Sequence, residues 1–227
     1  MTTDVALAEE LLLLGYDDKS GKATGSRIGL DLGMAAAVLV ELALAGRVAF
    51  SEGSMVVVDP TPTGNPIDDE VLARMAADTP HTPASWLQRL RHGLRSRVLA
   101  DLVERDIVCD IDETAMDGYV HVHRYPSVDS TVEAGIRQRL ATALTGDEVP
   151  DERTAALATL VAAVRMEPAL GLTGAAVQDA HRRLEEIAGG AGFSGTVSLD
   201  SSTVRPSVAL VVAALTRAID AALGARA

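Results

Sequence analysis

The residues best suited to chemistry in this chain are the basic ones crowded between Trp86 and Arg105: Arg89, Arg91, His92, Arg95 and Arg97. Arginine is a planar, bidentate partner for phosphates and carboxylates. At helical spacing Arg91 and Arg95 share one flank and His92 reaches Arg95 three residues on, which could make a cradle for an anion. The same residues also read as a solvated helix face paired with Asp101 and Glu104, and residue types alone favour that plainer reading. A second group is His121 and His123, which with Tyr119 alternate against Val120 and Val122. Both imidazoles would project from one strand face, as two metal ligands can. No acidic or cysteine partner sits at a telling spacing, so an exposed hairpin face is expected and no metal site is assigned. Asp110, Asp112 and Glu113 read as a solvated turn at the tip of that hairpin. The single Cys109 excludes an internal disulfide framework and a Cys-rich zinc site. Walker, dinucleotide, HExxH and kinase signatures are absent, and Gly192-Phe193-Ser194-Gly195 lacks the spacing of a nucleophile elbow. The expectation is a protein that is not an enzyme, with no catalytic residue and no cofactor.

Such side chains need a frame, and the frame is helical. Hydrophobic residues make up 48% of the 227 positions but aromatics only 3%, so the core must be built from Ala, Leu and Val on closely packed helices. From Leu32 to Phe50 the sequence LGMAAAVLVELALAGRVAF carries Glu41 as its only ionisable side chain before Arg47, which predicts a core helix ended at Gly46. Two further charge-free runs, Thr154 to Val164 and Pro206 to Thr216, predict a central helical bundle. Amphipathic helices over Asp4 to Tyr16, Trp86 to Arg105, Asp129 to Leu144 and Gly174 to Ala188 should wrap it, with Asp4 as a cap and a shorter helix over Asp68 to Ala77. Thr82 caps the Trp86 helix, with Pro83 at its first position. Hairpins are expected at Arg47 to Asp59 and between Asp106 and Arg124. Asp17 to Arg27 is a polar loop holding both lysines, Lys19 and Lys22, and Gly189 to Gly192 is another loop. The fold class is therefore mostly α, in a single domain over 1–227. A formal charge of −12 sets the whole-molecule field against nucleic acids, so any anion site must be local. The opening residues lack a basic, apolar leader and no run spans a bilayer, so a cytoplasmic location is expected. Arg-rich, Lys-poor usage points to a GC-rich bacterial genome.

Several stretches together resemble the Golgi phosphoprotein 3 family: Glu9-Glu10-Leu11-Leu12-Leu13-Leu14-Gly15, then Asp18 and Gly21, then Leu39 to Val48 with its ELAL-x-GR run. Leu94-Arg95-Ser96-Arg97 leading to Leu102-Val103-Glu104-Arg105, the Arg124-Tyr125-Pro126 hairpin end and the Arg153 to Val164 helix agree. The resemblance implies a helical bundle domain that binds phosphatidylinositol 4-phosphate as a peripheral membrane adaptor and self-associates through a β-hairpin, here 107–124. In eukaryotes such proteins retain Golgi glycosyltransferases. It also implies a headgroup pocket built from a tryptophan, an arginine and two basic residues three apart. Counting back from Glu41, Ser26 stands at the tryptophan position and Ala35 at the arginine position, while His92 and Arg95 stand at the basic pair. Arg27, with Lys19 and Lys22, could replace the missing charge. The candidate lipid-headgroup residues are thus Arg95, His92, Arg27 and Ser26, and the expected location is cytoplasmic with peripheral attachment to the inner membrane face. The competing readings are a soluble oligomeric scaffold that has lost the pocket and a winged-helix DNA binder built on the helix and hairpin near Phe50.

Overall fold

The computed structural model describes residues 5–115, 120–128, 130–145, 150–171, 175–186 and 208–225. Its centre is α2, Arg27–Leu44, in which the residues from Leu32 to Val40 are all buried. Ser26 caps it by accepting a hydrogen bond from the Gly29 amide at 3.1 Å, so the helix starts at Arg27, five residues ahead of the apolar run from Leu32 that marks it in the sequence. Gly46 ends it at φ 71°, a left-handed value that costs glycine nothing. Helices α6, Glu152–Ala163, and α8, Val208–Gly224, lie against α2 and against each other, so the three charge-free runs do form one core. That core is mostly α with two small antiparallel hairpins.

Helix α1, Leu7–Leu14, is more deeply set than its leucine spacing predicts. All eight of its residues are buried, Glu9 and Glu10 included. Its close approach to α2 depends on Gly33, where a Cβ would lie 2.7 Å from Leu11 Cδ2 and 2.8 Å from Val164 Cγ1. Helix α3, Pro66–Ala76, is capped by Asn65, and its Asp68 is buried rather than displayed at a solvated first turn.

The helix expected over Trp86 to Arg105 is two helices in sequence. The α4 segment, Pro83–Glu104, is capped by Thr82 as expected and interrupted at His92 (φ −80°, ψ 121°) and Gly93 (φ 79°, ψ −13°). The relation of His92 to Arg95 is therefore set by a bend and not by helical spacing. Gly93 supplies the left-handed residue that the bend requires.

The first hairpin, β1 Val48–Ser51 with β2 Ser54–Val57, buries Val48, Ala49 and Met55 and packs on α3 and α8. The second pairs β3, Ile111–Ala115, with β4, Val120–Arg124, in the register Asp112 with His123. Its first strand starts later than the expected Asp106, because Ile107 and Val108 turn inward and bury. Asp110, Asp112 and Glu113 are exposed as expected but do not form the turn: Asp112 and Glu113 are ladder residues and Asp110 leads into the strand. The amphipathic helices α5, Ser130–Thr145, and α7, Ala175–Glu186, complete the described wrapping. Helix α1 has Ala6 as its N-cap and Gly15 as its C-cap, so it is shorter than the expected 4–16 and is not capped by Asp4; Asp4, Pro206 and the glycine loop 189–192 lie outside the described residues.

Candidate functional site

The proposed headgroup residues fall on two elements, the start of α2 and the second half of α4, which pack together. Arg95 Nη2 lies 3.1 and 3.2 Å from the two carboxylate oxygens of Asp31, and the two side chains are only 13% and 18% exposed. Asp31 is four residues after Arg27, one turn along the same helix face, so Arg95 is held one turn from Arg27. The two arginines are on one side of the molecule.

Ser26, Arg27 and Ile28 form the exposed first turn of α2, which carries no acidic residue. Ser26 is occupied as the helix cap, and Ile28 is 36% exposed. His92 is exposed at the α4 bend, and its side chain makes no hydrogen bond or ion pair among the described residues. Ala35 is fully buried in the core and contributes nothing to any surface. Of the other arginines of the cluster, Arg89 pairs with Asp78 at 2.8 Å and lies over the Trp86 ring and Arg97 pairs with Glu70, whereas Arg91 makes no ion pair among the described residues and its Nε is buried without a hydrogen-bond partner.

The loop between α1 and α2 does not hand its lysines to α4. Tyr125 N–H donates to Gly21 O at 2.9 Å and Ser127 N–H to Asp18 O at 3.2 Å, so the loop is seated against the base of the second hairpin. At Gly21, with φ 61°, a Cβ would fall 2.4 to 2.6 Å from Tyr125 N and Pro126. Lys19 and Lys22 are exposed on that loop. Behind it is a shallow hollow, lined among others by Tyr16, Asp18, Tyr125, Ser127 and Glu133. Burial, and next a hydrogen bond with Asp18, pushes the Glu133 carboxyl up to about 8 despite Arg137 beside it.

The sequence reading missed a buried ionic clamp at the other end of α1. Glu41 accepts the Leu7 N–H at 2.8 Å and pairs with Arg153. Arg153 also donates to Val5 O at 2.6 Å and lies 3.3 Å from Glu10, while Arg139 pairs with Glu10 and Arg105 with Glu9 at 2.8 Å. Burial pushes Glu9 and Glu10 up, with their arginines opposing. Asp68 is pushed to about 8, first by burial and then by the Glu41 and Glu9 charges, and so is mostly protonated at neutral pH. One signal was available: a single carboxylate in the otherwise charge-free run from Leu32 to Gly46 must find a partner. Among the described residues no helix is long and apolar enough to cross a membrane.

The chain is 25% identical over 166 residues to the vacuolar protein sorting-associated protein 74 of Eremothecium gossypii, an alignment covering 62% of this chain and 49% of that one. The chain therefore spans about half the length of that curated relative. The family model described as Golgi phosphoprotein 3 (GPP34) matches residues 7–222, nearly the whole sequence, and the chain belongs to that family.

Proposed function

We propose that this chain is a non-enzymatic peripheral membrane adaptor that binds an anionic lipid headgroup, of the phosphatidylinositol 4-phosphate kind, where α2 begins beside the α4 bend. The observation that carries the reading is the Arg95–Asp31 contact, which brings a retained family arginine to within one turn of Arg27. A phosphate there meets Arg27, the amides and positive dipole end of an 18-residue helix, and His92 across the bend. Ile28 is available to enter the lipid interface beside it. Each cation near an anionic membrane contributes only about 1 kcal/mol, so binding is weak, salt-sensitive and dependent on several contacts at once. The adaptor acts as a homo-oligomer joined through the second hairpin, on the cytoplasmic face of the membrane.

The Arg95–Asp31 pair also favours the runner-up, a soluble scaffold that has lost its pocket, because Asp31 already neutralises Arg95. Liposome flotation at low salt separates the two. Vesicles containing phosphatidylinositol 4-phosphate should carry the protein more than phosphatidylcholine alone. Arg95→Ala and Arg27→Ala should each reduce recovery several-fold, and Asp31→Asn, which releases Arg95, should increase it. No flotation with any anionic lipid, by wild type or by Asp31→Asn, overturns the lipid reading in favour of the scaffold.

A further inference from the structure

The second hairpin, proposed above as the element that joins copies of the chain, also carries a side-chain constellation that the headgroup site does not use. On one of its faces Asp110 and Asp112 run alongside His121 and His123 of β4. The Nδ1 atom of His121 lies 2.9 and 3.1 Å from the two Asp112 oxygens, and that of His123 lies 2.9 Å from Asp110 Oδ1. A carboxylate can only accept, so each ring donates from Nδ1, and in the neutral ring this leaves the lone pair on Nε2, where a metal ion competes with the proton that the carboxylate favours. Neither Nε2 makes a hydrogen bond among the described residues, and the two side chains are 61% and 49% exposed. Two residues apart on one strand, they stand about 6.6 Å from each other along the chain, a spacing across which two imidazoles can share one ion. A carboxylate holding Nδ1 while Nε2 faces outward is the arrangement that orients histidine toward a metal.

We propose that His121 and His123 form a chelating site for a borderline divalent transition-metal ion, Zn2+ or Cu2+, with Asp110 and Asp112 as positioning residues. Among the described residues no three or more ligating side chains gather round one point, so the chelate has two nitrogen ligands and water completes it. Imidazole nitrogen excludes the hard cations Mg2+ and Ca2+ from such a site. Sequence spacing does not reveal the arrangement, because the aspartates lie 9 and 13 residues from their histidines and only the hairpin register joins them.

The test titrates the full chain, in a Cys109→Ser background that removes the exposed thiol as a competing ligand, with CuCl2 and ZnCl2 separately. Calorimetry should give one saturable site per chain, tighter for Cu2+ than for Zn2+. Electron paramagnetic resonance of the Cu2+ form should carry hyperfine structure from two imidazole nitrogens. His121→Ala and His123→Ala should each lower affinity at least tenfold and reduce that pattern to one nitrogen. The Asp110→Asn/Asp112→Asn double variant should lower affinity about tenfold or more while keeping two nitrogens. Circular dichroism checks that each variant remains folded. Absence of a saturable site, or histidine variants that bind as the parent does, overturns the chelate; an unchanged affinity in the aspartate variant overturns their positioning role.

Discussion

Glu41 illustrates what one side chain can demand of a fold. It lies within the ELAL-x-GR run, and two partners hold it there: the Leu7 amide at the open end of α1 and the Arg153 guanidinium that begins α6. Removing it leaves the Leu7 backbone donor without its acceptor and strips a half-buried cation of one carboxylate, with Glu10 and Val5 O remaining, a defect that costs more than the lost contacts themselves contribute. Glu41→Ala should lower unfolding free energy by about 2 to 4 kcal/mol, read from urea denaturation as a shifted midpoint at constant slope. Glu41→Gln retains an acceptor for Leu7 and should lose less. Equal losses in the two variants would mean that the amide contact matters little. The same scale explains what was hidden at the candidate site. The basic residues of α4 were legible as a cluster, but Asp31 gave no sign of being the partner of Arg95, 64 residues away. The kind of residue announces itself in a sequence, whereas its counter-ion is chosen by packing.

At the scale of elements, the charge-free runs and the Thr82 cap were legible, whereas the caps at Ser26, Asn65 and Asp151 were not read from the sequence. Ser26, Thr82 and Asp151 each accept an amide three residues on, and Asn65 accepts two, because a short polar side chain before an apolar run has few better uses. The α4 bend was illegible, since a lone glycine inside a helical pattern is ordinarily tolerated. The late start of β3 was hidden because Ile107 and Val108 look equally suited to a strand and to a buried connection. The depth of α1 was hidden for a related reason: spacing identifies a buried face but not how many neighbours cover the others. Glycine separates these cases. Gly33 sits where α1, α2 and α6 meet, and Gly33→Val should destabilise by about 1 to 3 kcal/mol through overpacking. Gly135 of α5 has open space around its missing Cβ, and there Gly135→Ala should stabilise by about 0.5 to 1 kcal/mol. In a chain of 227 residues each kcal/mol moves Tm by about 2 to 4 °C, so thermal melts of the two variants should shift in opposite directions. A fall in both would mean that helix packing around α5 is tighter than the structure has it.

For the whole molecule, the buried acids set a pH dependence opposite to that of many small proteins. Asp68 and Glu133 titrate near 8 in the folded chain and near 4 when unfolded. Between those limits the folded state holds a proton at each site that the unfolded state has released. Stability therefore falls as pH rises, by at most about 1.4 kcal/mol per pH unit for each group, and is greatest below their unfolded values. Glu9 and Glu10 are raised too and act in the same direction. Opposing them, Asp59, Asp69, Asp78 and Asp151 are held low by hydrogen bonds and arginines, and their contribution is lost only as pH falls through the carboxylate range. The two sets place maximal stability on the acid side of neutrality, between about pH 4 and 6. The formal charge of −12 gives no relief at alkaline pH, because each added negative charge increases self-repulsion. Urea midpoints measured from about pH 5 to 8.5 should decline steadily in wild type. Asp68→Asn faces Glu41, Glu9, Asp69 and Arg153, and Glu133→Gln faces Asp18 and Arg137; each neutral amide should remove its share of the slope, and the double variant should keep only the shallower decline that Glu9 and Glu10 contribute. Parallel slopes in wild type and double variant would show that these two carboxyls are ionised in the folded protein, and the protonated pairing at the base of α3 and behind the lysine loop would have to be abandoned.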